Sequence, residues 1–248
     1  MRNREALVTF TFDDAPVSAC GAGARLLEQY GVRATYYISG GGCGATSPCG
    51  QLATAEQVRS LCVKGHEIGC HTYSHAAVTR IDGDALAADL GHNRSFLQGL
   101  DRAALPRNFA YPYGDLSFRT KRDLQRDFDS CRSLRRGVNA GIVDLGALKC
   151  CLLENSSIDR HGILNVVAET VRRTGWLIFC SHDVDDPPSE FGVSPDLVEF
   201  ALIAALAAGC RLVTVRDALA ILNAAGMRSR DPGRAYGVSL HEPQRIAQ

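Results

Sequence analysis

Two adjacent carboxylates, Asp13 and Asp14, stand at the end of the run Leu7-Val8-Thr9-Phe10-Thr11-Phe12. That run is β-branched and aromatic with no helical period, so it reads as a buried strand feeding a loop. In barrels and doubly wound sheets the carboxyl ends of the strands carry the active site. A second group follows in Gly65-His66-Glu67-Ile68-Gly69-Cys70-His71-Thr72-Tyr73-Ser74-His75, where His71 and His75 are four residues apart. One helical turn would put both imidazoles on the same side, where neutral nitrogens about 2.0–2.1 Å from a zinc ion can share it with one carboxylate oxygen. Two histidines and a carboxylate leave positions open, as a catalytic ion requires. Taken singly, adjacent acids also serve as a helix cap or turn, and H-x-x-x-H is often an ordinary surface turn. The zinc-protease pattern H-E-x-x-H is absent, because His66-Glu67 is followed by the next histidine too late.

Two further stretches end at chemically useful residues. Phe109-Ala110-Tyr111-Pro112-Tyr113-Gly114 is a strand running into a proline turn, and Trp176-Leu177-Ile178-Phe179-Cys180-Ser181-His182-Asp183 is an apolar strand ending in histidine. In a chain that already offers paired acids and two ligand-like histidines, His182 is a candidate general acid.

The elements that must position these residues alternate. Ala22 to Tyr30 places Leu26, Leu27 and Tyr30 on one face and stops at Gly31, a helix closed by a residue tolerant of left-handed geometry. Ala34 to Ile38 is strand-like again, so strand, helix and strand form a βαβ unit and imply a parallel sheet. After a Gly-rich loop from Ser39 to Gly50, read as a surface loop rather than a lid, Thr54 with Gln57 forms a capping box that opens a helix through Lys64. Strands are expected at His66–Cys70, Asn108–Tyr111, Trp176–Ser181 and Arg211–Val215, with helices over Asp82–Leu100 and Val215 to about Ala225. Six or seven βα pairs in one domain of this length suggest a barrel more than an open sheet. The polar stretch 227–248 is read as a disordered or docked tail, with disorder preferred.

Lysine plus arginine and aspartate plus glutamate number 27 each, so no overall field gathers nucleic acid or anionic lipid, and neither is expected as a partner. An uncharged substrate fits better. The chain starts without an apolar signal region and has no run of eighteen apolar residues, so a soluble, cytoplasmic protein is expected. Of ten cysteines, Cys62, Cys180 and Cys210 sit in apolar stretches as small hydrophobes. Cys43 and Cys49 flank a loop that could join them, and both a disulfide and two free thiols remain open.

In this order the segments resemble the motifs of the polysaccharide-deacetylase family, which includes chitooligosaccharide, chitin and peptidoglycan deacetylases and shares the NodB homology domain. The likeness spans roughly Leu7 to Val215 and rests on Thr-Phe-Asp-Asp, His-Thr-x-x-His, Pro-Tyr-Gly and the late strand ending in histidine. It implies a distorted (β/α) barrel of about seven strands over residues 1–226 and a divalent ion on Asp14, His71 and His75. Zinc is the expected ion, with cobalt and nickel suited to the same donors. It implies Asp13 as the base on the attacking water, His182 as the acid on the departing amine, and the Tyr113 backbone N–H as an oxyanion donor. The implied reaction removes N-acetyl groups from an N-acetylglucosamine-containing saccharide.

The likeness is broken in three places. An arginine commonly found two residues before Pro-Tyr, paired with the catalytic aspartate, is replaced by Ala110, and Arg107 reaches the site only if the backbone bends. A leucine two before the late histidine is Cys180. The aspartate-tryptophan motif that orients the histidine has no counterpart around Lys149 to Arg160. Some branches carry Phe-Ala-Tyr-Pro, so the departures point to a subgroup. Two other readings stay in view: an allantoinase-like hydrolase of small C–N substrates, with a closed pocket rather than aromatic platforms, and a silent saccharide-binding barrel, which would need neither Asp13 nor His182. Oligomeric state is not read from the sequence.

Overall fold

The computed structural model describes residues 5–101 and 105–224; the expected tail over 227–248 lies outside them. Seven parallel strands close into a barrel: β1 (Leu7–Asp13), β2 (Thr35–Ile38), β3 (Glu67–Cys70), β4 (Asn108–Ala110), β5 (Ser130–Arg136), β6 (Leu148–Leu152) and β7 (Trp176–Ser181). β7 returns to β1 in a long register from Leu7↔Trp176 to Phe12↔Ser181. The other edge of β1 is shared. A two-residue strand β8 (Arg211–Leu212) pairs with Leu7 and Val8, and β2 takes over from Thr11 to Asp13.

Helices wrap the barrel: α1 (Ala24–Gln29, preceded by a π-helical turn over Ala19–Gly23), α2 (Ala55–Val63), α3 (Gly83–Leu100), α4 (Phe118–Asp127), α5 (Arg160–Arg172), α6 (Pro195–Ala207) and α7 (Val215–Ala224). The Thr54–Gln57 capping box opens α2 as expected, and the Asp82 carboxylate caps α3 by accepting from the Ala85 N–H. None of these helices is long and apolar enough to cross a membrane.

Period-two alternation sorts each strand between helices and lumen. Val8, Phe10 and Phe12 face outward into a core shared with Leu27, Val58, Leu61, Ile163, Val198 and Leu202. Burying such side chains contributes about 1.5–3 kcal/mol each. Leu7 faces inward, where Leu148, Cys150, Trp176, Ile178 and Cys180 pack against Val215, Ala218, Leu219 and Leu222 of α7. α7 therefore plugs the amino-terminal mouth of the barrel.

The rest of the lumen is polar. Trp176 Nε1 donates to the Thr9 hydroxyl at 2.9 Å. Near the plug, Ser130 donates to Asn108, Asn108 to Glu67 Oε1, and Thr35 to Glu67 Oε2, which also accepts the Arg216 N–H at 2.8 Å. Gly69 is required at its place in β3, since a Cβ there would meet the Tyr37 ring at 2.5 Å.

Three strands differ from the sequence expectation. Ser130–Arg136 (SCRSLRR) and Leu148–Leu152 were not anticipated, because β5 turns Ser130 and Arg132 into a polar lumen and shows no apolar alternation. Conversely, the strand expected over Arg211–Val215 is only two residues long.

Candidate metal centre

All three expected ligands meet at the carboxyl ends of β1 and β3. The ligand atoms of Asp14, His71 and His75 lie within 4.8 Å of one another. Asp14 Oδ1 is 3.6 Å from His75 Nε2 and 4.0 Å from His71 Nε2. These separations exceed a hydrogen bond and approach the roughly 3.3–3.6 Å spacing of donors sharing one tetrahedral zinc ion. The residues thus fit a divalent cation.

The outer sides of both imidazoles are occupied. His71 Nδ1 is 2.8 Å from the Ala110 carbonyl, which can only accept, so Nδ1 carries the proton and the Nε2 lone pair faces Asp14. Burial pushes the His71 imidazole below its ordinary value, against the opposing pull of Asp13 and Asp14, and so favours the neutral form that ligates a metal. His75 Nδ1 lies 3.0 Å from the Tyr113 hydroxyl, and the rings meet edge-on with centroids 4.6 Å apart.

The His71–His75 segment is not the helical turn its spacing suggested. It is a loop with Thr72 and His75 at φ of 61° and 55°, clamped from α3 by Asp89, whose carboxylate accepts from the Tyr73 N–H and from both the Ser74 N–H and hydroxyl. Asp14, Ala15 and Tyr113 also have positive φ. Five of the six non-glycine residues in that region among those described thus surround this site. Such residues cost about 1–3 kcal/mol each and cluster at functional sites.

Asp13 is buried beside the cluster, and both its oxygens accept from Arg132 Nη2. Arg132 is the residue the sequence reading missed. It sits on β5 in direct register with Ala110 on β4, so the guanidinium expected at position 110 is supplied from the neighbouring strand. Arg107 does not bend inward; it pairs with Asp129 at 2.6 Å on the surface. Burial raises the Asp13 carboxyl, but Arg132, His71 and His182 more than offset this and hold it at about 2. Cys180, expected as an apolar wall, places its thiol 3.6 Å from Asp13 Oδ2 as a donor.

His182 completes the rim, near enough to Asp13 to lower it. Its ring lies 5.7 Å from that of Phe191, and its buried Nδ1 has no hydrogen-bond partner among the described residues. Asp183, the next residue in the chain, is engaged with Ser189, and Glu154 with Ser157. Cys43 and Cys49 are free thiols.

The fold has solved counterparts. The chitin deacetylase of Colletotrichum lindemuthianum superposes with a TM-score of 0.64 at 20% identity, covering 88% of this chain and 89% of that one. A family 4 acetyl xylan esterase from Clostridium thermocellum, solved with a cobalt ion, gives 0.62 at 22% identity over 88% and 92%. At these identities the likeness speaks for the barrel alone. In sequence, the chain is 24% identical to chitin deacetylase 1 of Cryptococcus neoformans var. grubii over 111 residues, 45% of this chain and 22% of that protein. It is 26% identical to a bifunctional xylanase/deacetylase of Pseudobutyrivibrio xylanivorans over 145 residues, 55% of this chain and 23% of that protein. These matches span less than a quarter of the length of either relative. A sequence model described as polysaccharide deacetylase matches residues 1–128, just over half of the 248 residues, and the chain belongs to the polysaccharide deacetylase family.

Proposed function

We propose that this protein hydrolyses N-acetyl groups from an N-acetylglucosamine-containing saccharide, with zinc as its ion. The observation that carries the reading is a three-ligand cluster at the strand ends beside a separately held, ionised carboxylate. The chemistry a bound divalent ion supplies here is Lewis acidity, which acidifies water and polarises an acyl carbonyl. Asp13, with both oxygens directed by Arg132, receives the proton of the attacking water. A carboxylate held at about 2 is ionised at any working pH, and a base this weak is effective only on acidified water. The Tyr113 N–H is the donor to the oxyanion, and His182 protonates the departing amine.

The rim supports a saccharide over a small metabolite. Tyr113 and Phe191, on loops leaving the strands' carboxyl ends, and Phe118, the first residue of α4, are 66%, 41% and 83% exposed. Exposed aromatic surface beside a polar site marks a binding groove, whereas an allantoin-sized substrate calls for enclosure.

The test is acetate release from chitooligosaccharides by zinc-loaded protein, run beside Asp13→Asn and a His71→Ala/His75→Ala double variant. Release that both variants lose is the expected result. Stoichiometric zinc without release from chitooligosaccharides would sink the substrate, and release from acetylated xylan instead would move the chemistry from amide to ester.

A further inference from the structure

We infer that the Tyr113 phenol, distinct from the Tyr113 backbone N–H, is the positioning group that sets the metal affinity of His75. The inference rests on the metal-ligand reading of Asp14, His71 and His75, and needs no assumption about the substrate.

The two histidines are supported unequally. His71 is buried and its Nδ1 is fixed by a backbone carbonyl that no side-chain change can remove. His75 is partly exposed, sits at φ 55°, and its Nδ1 meets a side chain, the Tyr113 hydroxyl at 3.0 Å. For Nε2 to ligate a cation, Nδ1 must carry the proton and needs an acceptor, and a phenol oxygen serves. The same hydroxyl can donate to Nδ1 when Nε2 is protonated, so it holds the ring in either tautomer.

The phenol is itself well founded. Tyr113 lies in the Pro112–Gly114 turn at φ 61°, followed by Gly114 at φ 66°. A Cβ at position 114 would meet the Leu134 side chain at 2.7 Å, so the turn is seated directly on β5. β5 thus supports both halves of the centre, Asp13 through Arg132 and His75 through the turn that carries Tyr113.

Removing the outer partner of a metal-bound histidine typically weakens metal affinity 10–100-fold. Competition titration of zinc between a chromophoric chelator and metal-stripped protein should show Tyr113→Phe binding about tenfold or more weakly than wild type. The melting temperature of the metal-free protein should be unchanged, since the lost hydroxyl is at the surface. Imidazole nitrogen shifts of the zinc-loaded protein should show His75 protonated at Nδ1, with faster proton exchange in Tyr113→Phe. Zinc affinity of Tyr113→Phe within twofold of wild type would overturn the inference while leaving the centre intact. Absence of stoichiometric zinc binding by the wild type would overturn the centre and the inference together.

Discussion

The barrel lumen holds two buried carboxylates, one near each end, and their surroundings push them in opposite directions. Asp13, at the carboxyl ends of the strands, is paired with a guanidinium and held at about 2. Glu67, near the α7 plug, is raised, because burial outweighs the Arg216 N–H, Asn108 and Thr35, which bring dipoles but no buried counter-charge. The polar atoms around them differ too. Each Glu67 oxygen has a partner, whereas Arg132 Nε and Nη1, the Tyr37 hydroxyl and His182 Nδ1 are the buried side-chain atoms without one among the described residues. A network that only has to hold the fold can satisfy every group. One that must present charge to a reacting molecule keeps its carboxylate ionised and leaves bonding capacity unused.

The sharpest way to break this contrast is to neutralise each carboxylate in turn. Asp13→Asn should lower acetate release by roughly 10²–10⁴-fold, the usual contribution of a positioned acid or base, read as kcat/KM on chitooligosaccharides. Glu67→Gln should leave kcat/KM within a few-fold. Equal losses would erase the distinction between the two ends.

Stability should separate the ends next. Arg132→Met leaves Asp13 as an unpaired buried charge and should cost about 3–5 kcal/mol, measured by urea unfolding. Adding Asp13→Asn to Arg132→Met should recover part of that loss, because the stranded charge disappears with its partner. A double variant no more stable than Arg132→Met would mean that the arginine acts through packing rather than through its charge.

The difficulty of seeing Arg132 from the sequence has a physical cause. β1, β7 and the α2 capping box were legible because outward-facing apolar residues and local hydrogen bonds leave a periodic mark. The lumen of β5 is polar, so Ser130-Cys131-Arg132-Ser133-Leu134-Arg135-Arg136 carries no strand signal. The pairing of Arg132 with Asp13 depends on the Ala110↔Arg132 register rather than on any spacing along the chain. The ligands themselves were legible by type and spacing, but their means of convergence was not. Thr72 and His75 adopt left-handed backbone, and Asp89 holds the loop from α3, which no periodicity announces.

A smaller effect is expected from the pH dependence at the plug. Glu67 has a raised value in the folded protein, so its contribution to stability is full below the unfolded value of about 4.5 and declines as pH rises through the folded one. Glu67→Gln carries no such dependence. Its disadvantage relative to wild type, about 1–3 kcal/mol at pH 4 from presenting an amide to donors, should shrink by pH 7. A disadvantage that grows between those two melting measurements would contradict the raised value.

The smallest effect belongs to His66 and has the opposite slope. His66 is buried beneath Tyr36, with Nδ1 accepting the Ala34 N–H at 3.1 Å, which leaves Nε2 as the donor to Glu28 at 3.0 Å. Burial lowers its value despite the opposing pull of Glu28. The unfolded chain therefore binds the proton more readily, and the stability His66 contributes is present above about pH 6.5 and lost as pH falls through the folded value. The structural reason is that a proton on Nδ1 would face the Ala34 N–H and remove a neutral hydrogen bond worth about 0.5–1.5 kcal/mol. His66→Gln retains an acceptor without titrating. The advantage of wild type over that variant should therefore diminish from pH 7 to pH 5, where the advantage over Glu67→Gln grows. Parallel slopes for the two variants would show that the two residues do not sense pH separately.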